Sequence, residues 1–281
     1  MKERDGSTPT IPVTAHAVAE SPTGERLHAL DAVRGFALLL GIVFHSTMSF
    51  LNAPQQMWFI VDKYQSTTLT LLFYVLHMFR MTMFFFIAGF FGHLLFHRRG
   101  ERAFIRDRLR RIGLPLIVGW PILFPLIVGC VIWGAWVMHD GKLPDAPPPD
   151  PNAPPFAFPL THLWFLYVLL WCYTIILLLR RLAVRFDPNG RGRARLDQLV
   201  SVIVRNPLGI VLLAVPTCVS LMALGRWQLW LGIPTPDSSL LPNIAASTTF
   251  GGAFAFGWLV HRQAQLLRIY ESRWPFHVHR L

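Results

Sequence analysis

Long apolar runs separated by basic segments are the feature that most constrains the fold of this chain. Hydrophobic residues make up 53% of its 281 residues and charged residues only 15%, whereas a soluble domain carries about 25% charged residues. Six runs are apolar and long enough to cross a bilayer, at about 30–51, 69–96, 112–138, 161–179, 207–224 and 240–260. The sequence therefore predicts an all-α fold, a polytopic bundle of about six transmembrane helices.

The positive charge of the chain is distributed in a regular pattern. Of its 26 Lys and Arg residues, 22 lie before the first run, at its beginning (Arg34), or in the later segments 98–111, 180–205 and 262–280. These segments alternate with connections that hold few basic residues, and basic loops tend to stay in the cytoplasm. We therefore predict cytoplasmic termini, with the net charge of +11 serving topology and contact with membrane lipid. Nucleic-acid binding is not expected, because the basic segments carry almost no aromatic residues for base stacking.

The composition also predicts how the chain divides. Residues 1–25 are polar and lack an apolar signal core, which predicts a disordered cytoplasmic segment. A transmembrane domain is expected over 26–262 and a cytoplasmic tail over 263–281. The loop 143–160 holds eight prolines and is expected outside the cytoplasm, as an extended spacer or as a lid over an external cleft. The segment 180–206 is expected to be a cytoplasmic loop.

Ionisable residues inside the first apolar run are the strongest functional signal. Along a helix, Arg34 and His45 lie about 20° apart on one face and about 16 Å apart along the axis. Asp31 lies one turn before Arg34. Such groups are costly at membrane depth, so they predict a functional site. The alternative interpretation is an Asp31–Arg34 anchor at the water boundary with a hydrogen-bonded core histidine.

Further ionisable residues are predicted near the external side. His77 and Arg80 are three residues apart and share a helix face. An arginine does not lose its proton, so Arg80 needs a partner, a cavity or access to the outer interface. His162 is expected at the outer boundary beside Trp164, which is also an ordinary position for a residue of the aromatic belt.

Two pairs are predicted near the cytoplasmic side. Arg108 and Arg111 flank a helix start at a spacing that suits a phosphate clamp, although arginines are also common at membrane edges. His93 and His97 have the spacing of two metal ligands on one helix, but the sequence offers no evident third ligand. We therefore expect interface histidines there and no metal site.

Two of these pairs carry a resemblance to a known family. The first run resembles the Arg-x10-His pattern of the acyltransferase 3 family of integral membrane O-acyltransferases, with Arg34, His45 and a preceding Asp31. Arg108 and Arg111 resemble the family's cytoplasmic Arg-x-x-Arg.

Other stretches extend the resemblance to about residues 26–262. The stretch 85–90 is similar to the family's Phe-Phe-x-Ser-Gly-Phe, with Ala88 in place of the serine, so no serine nucleophile is expected there. His77-x-x-Arg80-Met and His162-Leu-Trp-Phe-Leu are most similar to members that succinylate osmoregulated periplasmic glucans.

The resemblance implies transfer of an acyl group, such as succinyl, from cytoplasmic acyl-coenzyme A to a hydroxyl of a periplasmic or cell-surface carbohydrate such as a glucan. It implies location in the inner membrane, with acyl-coenzyme A as a substrate and with no bound cofactor or metal. In the roles that the resemblance implies, His45 is the general base or a transient acyl carrier. Arg34 orients the donor carbonyl and is held by Asp31. Arg108 and Arg111 bind the coenzyme phosphates, and the residues that contact the acceptor are His77, Arg80 and His162.

The number of spans leaves other interpretations open. Family members usually have more than the six spans predicted here, so we expect a shortened member. A transporter or flippase, a membrane scaffold without catalysis and an inactive truncated acyltransferase are the alternatives. Hydrolysis of acyl-coenzyme A that depends on His45 would separate the enzyme from the other classes.

Overall fold

The fold is given by a computed structural model that describes residues 35–36, 39–52, 61–143, 157–224 and 232–263. The contacts divide the chain into two units, with the boundary after Leu39. The described residues of the first unit are helical, and the second unit, from Leu40 onward, holds the helical bundle. The predicted segment 1–25, the tail beyond 263 and most of the Pro-rich loop lie outside the described residues.

The described residues are almost entirely helical, which confirms the predicted all-α class. An isolated antiparallel bridge between Ala157 and Ser239 is the exception within those ranges. The helices are α1 (Leu39–Phe50), α2 (Thr67–Arg99), α3 (Glu101–Arg108), α4 (Leu114–Met138), α5 (Trp164–Phe186), α6 (Arg191–Arg205), α7 (Gly209–Ala223) and α8 (Ile244–Arg262).

The predicted six spans are only partly supported. Three described helical segments are long and apolar enough to cross a membrane: Thr67–Arg99, Glu101–Met138 and Thr161–Phe186. The pair α6 and α7 would make a fourth, although the two helices meet at 106°. The described part of the first predicted span, α1, is shorter than a span. Helix α8 occupies the sixth predicted span, but it carries Gly, Ser and Thr where a span usually has larger apolar residues.

The predicted loop 180–206 is largely helical, because α5 continues to Phe186 and α6 begins at Arg191. A turn joins the two helices, in which Gly190 donates its N–H to the carbonyl of Asp187 and adopts a φ of +69°. The Asp187 carboxylate accepts a hydrogen bond from the backbone N–H of Arg193 at 2.9 Å. That bond holds the pKa of Asp187 below its usual range.

Close packing of α2 against α8 forms the centre of the described fold. A Cβ on Gly89 would lie 2.0 Å from the carbonyl oxygen of Phe254, and a Cβ on Gly257 would lie 2.0 Å from that of Phe86. The two backbones therefore touch where each helix has a glycine, as is common between membrane helices. Around this contact the aromatic side chains of Phe85, Phe104, Phe250, Phe254 and Trp258 form the buried core with residues of α5.

The join between α3 and α4 is a π-helical turn, Leu109–Gly113. The N–H of Leu114 bonds to the carbonyl of Leu109, five residues back. Pro115 comes next and has no N–H for the α-helical bond to the carbonyl of Arg111. Such turns are frequent at functional sites, and this one lies directly beside the predicted arginine clamp.

Candidate functional site

His45 and His162 lie together, although 116 residues separate them along the chain. Their ring centroids are 4.8 Å apart. Helix α1 carries His45, and the 3-10 turn Thr161–Leu163, which leads into α5, carries His162. His45 is partly exposed, and its Nδ1 is buried without a hydrogen-bond partner among the described residues.

The predicted pair His77 and Arg80 joins the same group. The ring of Phe44, next to His45, stacks on His77 at 5.7 Å and on Phe73 at 4.7 Å. The guanidinium of Arg80 lies over the Phe44 ring at 4.2 Å. The structure therefore brings His45, His77, Arg80 and His162 into one group beside the N-terminal half of α2.

Arg80 is held in an apolar setting. One of its terminal nitrogens lies 3.2 Å from where a Cβ on Gly41 would be, so the guanidinium lies against the α1 backbone. Its Nε is buried and without a hydrogen-bond partner, and no ion pair to it exists within the described ranges. Arg80 as a whole is partly exposed, so its access to the outer interface and its role at a site both stay predictions.

The loop before α8 is bonded to the segment that carries His162, and sequence reasoning missed this contact. Thr161 donates its N–H to the carbonyl of Asp237, and Phe158 donates to that of Ser238. Burial raises the pKa of the Asp237 carboxyl, and the nearby His162 partly opposes that rise. The only signal in the sequence was an acidic residue in a predicted external loop, which does not by itself indicate a site.

The predicted arginine clamp is built around a carboxylate. Asp107 forms salt bridges of 2.9 Å with Arg99, Arg108 and Arg111. Both arginines of the predicted clamp therefore bind the same carboxylate, and their role as a phosphate clamp stays a prediction. Arg111 remains 68% exposed, while Arg108 is only 21% exposed and is held in place by Tyr173, to which it donates a hydrogen bond of 3.2 Å.

Of the remaining candidate residues, two lie outside the described part of the chain and two lie away from the group around His45. Arg34 and Asp31 lie outside the described residues. His93 and His97 are in ring contact, and His93 shares a hydrogen bond of 2.8 Å between Nδ1 atoms with His261 of α8. Across the described parts of the chain, no three or more His, Cys, Asp or Glu side chains are arranged to hold a metal ion.

Comparisons with known proteins identify the family. The sequence profile of the acyltransferase domain of the acyltransferase 3 family matches residues 27–276. Glucans biosynthesis protein C of Escherichia coli strain SMS-3-5 is 33% identical over 99 residues, which are 35% of this chain and 25% of the relative. The same protein from Escherichia coli K12 gives the same identity and coverage. The matched part is thus about a quarter of the length of these relatives. No solved structure matches the chain. Because the profile covers most of the sequence, the chain belongs to the acyltransferase 3 family.

Proposed function

We propose that this protein is a membrane O-acyltransferase that moves an acyl group from cytoplasmic acyl-coenzyme A to a hydroxyl of a periplasmic or cell-surface carbohydrate. The observation that carries the proposal is the grouping of His45, His162, His77 and Arg80 along the N-terminal half of α2, with Arg108 linked through Tyr173 to Ala88 in its C-terminal half. Family membership supplies the reaction class.

His45 is the proposed general base. It accepts the proton of the acceptor hydroxyl while the hydroxyl oxygen forms a bond to the thioester carbonyl carbon. The tetrahedral intermediate then collapses, the carbon–sulfur bond breaks, and the leaving thiolate takes the proton back from His45. His162 lies beside this imidazole and fixes its position, with rings 4.8 Å apart.

Positive charge has two proposed roles. The family resemblance supports a role for Arg34, with Asp31, in polarising the donor carbonyl, whose oxygen gains charge in the transition state; both residues lie outside the described structure. Arg80 and His77 bind the acceptor hydroxyl or, for a dicarboxylic acyl group such as succinyl, its free carboxylate. The burial of Arg80 without an ion pair in the described ranges supports a ligand as its partner.

The donor is proposed to bind at the opposite end, where Arg108 and Arg111 contact its phosphates. Tyr173 links Arg108 to the backbone of α2 at Ala88. Ala88 is eight residues from Arg80, which corresponds to about 12 Å along the helix. The long pantetheine arm of coenzyme A is able to cover that separation, so one donor molecule would connect the two ends.

The similarity to glucans biosynthesis protein C supports a glucan as acceptor and, through the resemblance of the His77 and His162 motifs, succinyl as the acyl group. It also supports location in the inner membrane of the cell. These finer assignments rest on a relative that the chain matches over 99 residues.

The test compares His45→Ala and His45→Gln with the unchanged protein in membrane vesicles that are given acyl-coenzyme A and glucan. Both variants should lose acylation by about 100-fold or more, because neither side chain accepts a proton. Their abundance in the membrane should stay normal. His139→Gln is the matched control, because His139 is exposed and follows the end of α4, away from the site around His45.

Two outcomes would overturn the proposal. Substantial acylation by His45→Gln would make His45 a structural residue. Movement of substrate across the vesicle membrane, without ester formation, would favour a transporter.

A further inference from the structure

The hydroxyl of Tyr173 connects three helices. It accepts a hydrogen bond from Nη1 of Arg108 at 3.2 Å and donates one to the carbonyl of Ala88 at 3.1 Å. A phenol hydroxyl has one proton to donate and lone pairs to accept, so both bonds form at once. Tyr173 is only 4% exposed and lies on α5, while Ala88 lies on α2 and Arg108 ends α3. The phenol therefore joins the predicted donor-binding arginine to the backbone of α2.

A glycine makes this arrangement possible. In a helix the carbonyl of Ala88 points toward the residue four positions later, which is Gly92. A Cβ on Gly92 would lie 2.8 Å from Cε1 of Tyr173 and 3.4 Å from its hydroxyl oxygen. A larger residue would therefore push the phenol away from the carbonyl. The hydrogen bond from Tyr173 uses only the backbone carbonyl of residue 88, so it forms with alanine at this position as it would with serine.

The guanidinium of Arg108 is fixed on several sides. Its Cζ lies 5.3 Å from the ring of Tyr173 and 5.4 Å from that of Phe104. Nη2 donates to Asp107, Nη1 donates to Tyr173, and Nε is buried without a partner in the described ranges. A side chain that is already ordered loses less conformational entropy when it binds a ligand.

We propose that Tyr173 is a positioning residue that holds Arg108 ready for the phosphates of the donor, and that Gly92 provides the space for it. This inference rests on the proposed function, because it assigns the donor to Arg108. Tyr173 touches no reacting atom, so its effect falls on donor affinity and leaves the chemical step almost unchanged.

The test measures binding of coenzyme A itself, together with KM and kcat for the acyl donor. Tyr173→Phe keeps the ring and removes the hydroxyl; it should weaken coenzyme A binding by about three- to tenfold. The donor KM should rise by a similar factor while kcat changes by less than about twofold. Tyr167→Phe is the matched control. Tyr167 lies on α5, as Tyr173 does, and its hydroxyl also donates to a backbone carbonyl, that of Leu240. It should leave coenzyme A binding unchanged.

A double-mutant cycle shows whether Tyr173 acts through Arg108. In an Arg108→Gln background, Tyr173→Phe should weaken coenzyme A binding no further. If it weakens binding by the same factor in both backgrounds, or has no effect in either while Arg108→Gln does, the positioning role is wrong. If Arg108→Gln itself leaves coenzyme A binding unchanged, the donor site of the proposed function fails instead.

Discussion

At the scale of single residues, the two arginine environments in this protein differ sharply. Asp107 forms salt bridges with Arg99, Arg108 and Arg111, which leaves this group with a net positive charge. Arg80 lies at membrane depth over an aromatic ring, with a buried Nε that has no partner among the described residues. A buried charge is expensive unless something compensates it. If Arg80 serves the proposed acceptor site, its replacement should affect activity and stability differently.

Replacement of Arg80 should separate function from stability. Arg80→Met removes the charge and keeps much of the length, so acylation should fall by at least about tenfold, the scale of one lost charge-assisted hydrogen bond. The melting temperature in detergent should stay the same or rise, since an apolar side chain suits the site better. Arg185→Met, at the exposed end of α5, serves as the control for charge removal. A fall in melting temperature together with activity would instead make Arg80 a structural residue.

At the scale of elements, glycine contacts decide how α2 and α8 pack. Gly89 and Gly257 each face a backbone carbonyl of the other helix, so neither position has room for a side chain. Membrane helices gain little from burial of apolar surface against each other, because lipid is equally apolar. Close approach of the backbones thus becomes the main source of attraction. The same approach sets the relative position of α2 and the residues that it carries into the site.

Gly257→Ala should destabilise the protein although alanine favours helix. The new Cβ would lie 2.0 Å from the carbonyl oxygen of Phe86, so the helices must move apart. We expect a loss of about 1–3 kcal/mol, typical of overpacking, measured as unfolding in mixed micelles. Gly252→Ala, on the same helix with nothing within 4 Å of its Cβ, should be neutral or slightly stabilising. Equal effects of both substitutions would refute the packing argument.

The elements were easier to predict from sequence than their contacts. The apolar run at 69–96 became α2 over Thr67–Arg99, because length and hydropathy act locally. The helical content of 180–206 was missed, since its arginines suggested a loop although its apolar residues have helical spacing. The contact of His45 with His162 could not be predicted, because it depends on how α1 and α5 pack. That three arginines share Asp107 was missed, because only the spacing of Arg108 and Arg111 was considered.

At the scale of the whole molecule, a few contacts fix which segments share a side of the membrane. Arg181, near the end of α5, bonds to Glu101 at the start of α3. Thr161, at the other end of α5, bonds to Asp237. The 23 residues of α5 extend about 34 Å, enough to cross the hydrocarbon core. The exposed apolar surface of α4, which buries only Gly134 within the described structure, suits contact with lipid. The cluster around His45 and the cluster around Asp107 thus lie toward opposite ends of the bundle.

Reporter fusions should place those ends on opposite sides of the membrane. Fusions after Arg99 and after Arg191 should give a cytoplasmic signal, because both belong to the basic segments. Fusions near Asp150 and near Asp237 should give an external signal.

Asp237 is the decisive position, because α7 has only 15 residues, about 22 Å, and meets α6 at 106°. A re-entrant α6–α7 pair would return the chain to the cytoplasm and give a cytoplasmic signal at Asp237. Asp237 is bonded to Thr161, beside His162, at the end of α5 opposite Arg181. With Arg191 cytoplasmic and α5 crossing the membrane, a cytoplasmic signal at Asp237 would therefore contradict this contact and the external position proposed for the cluster around His45.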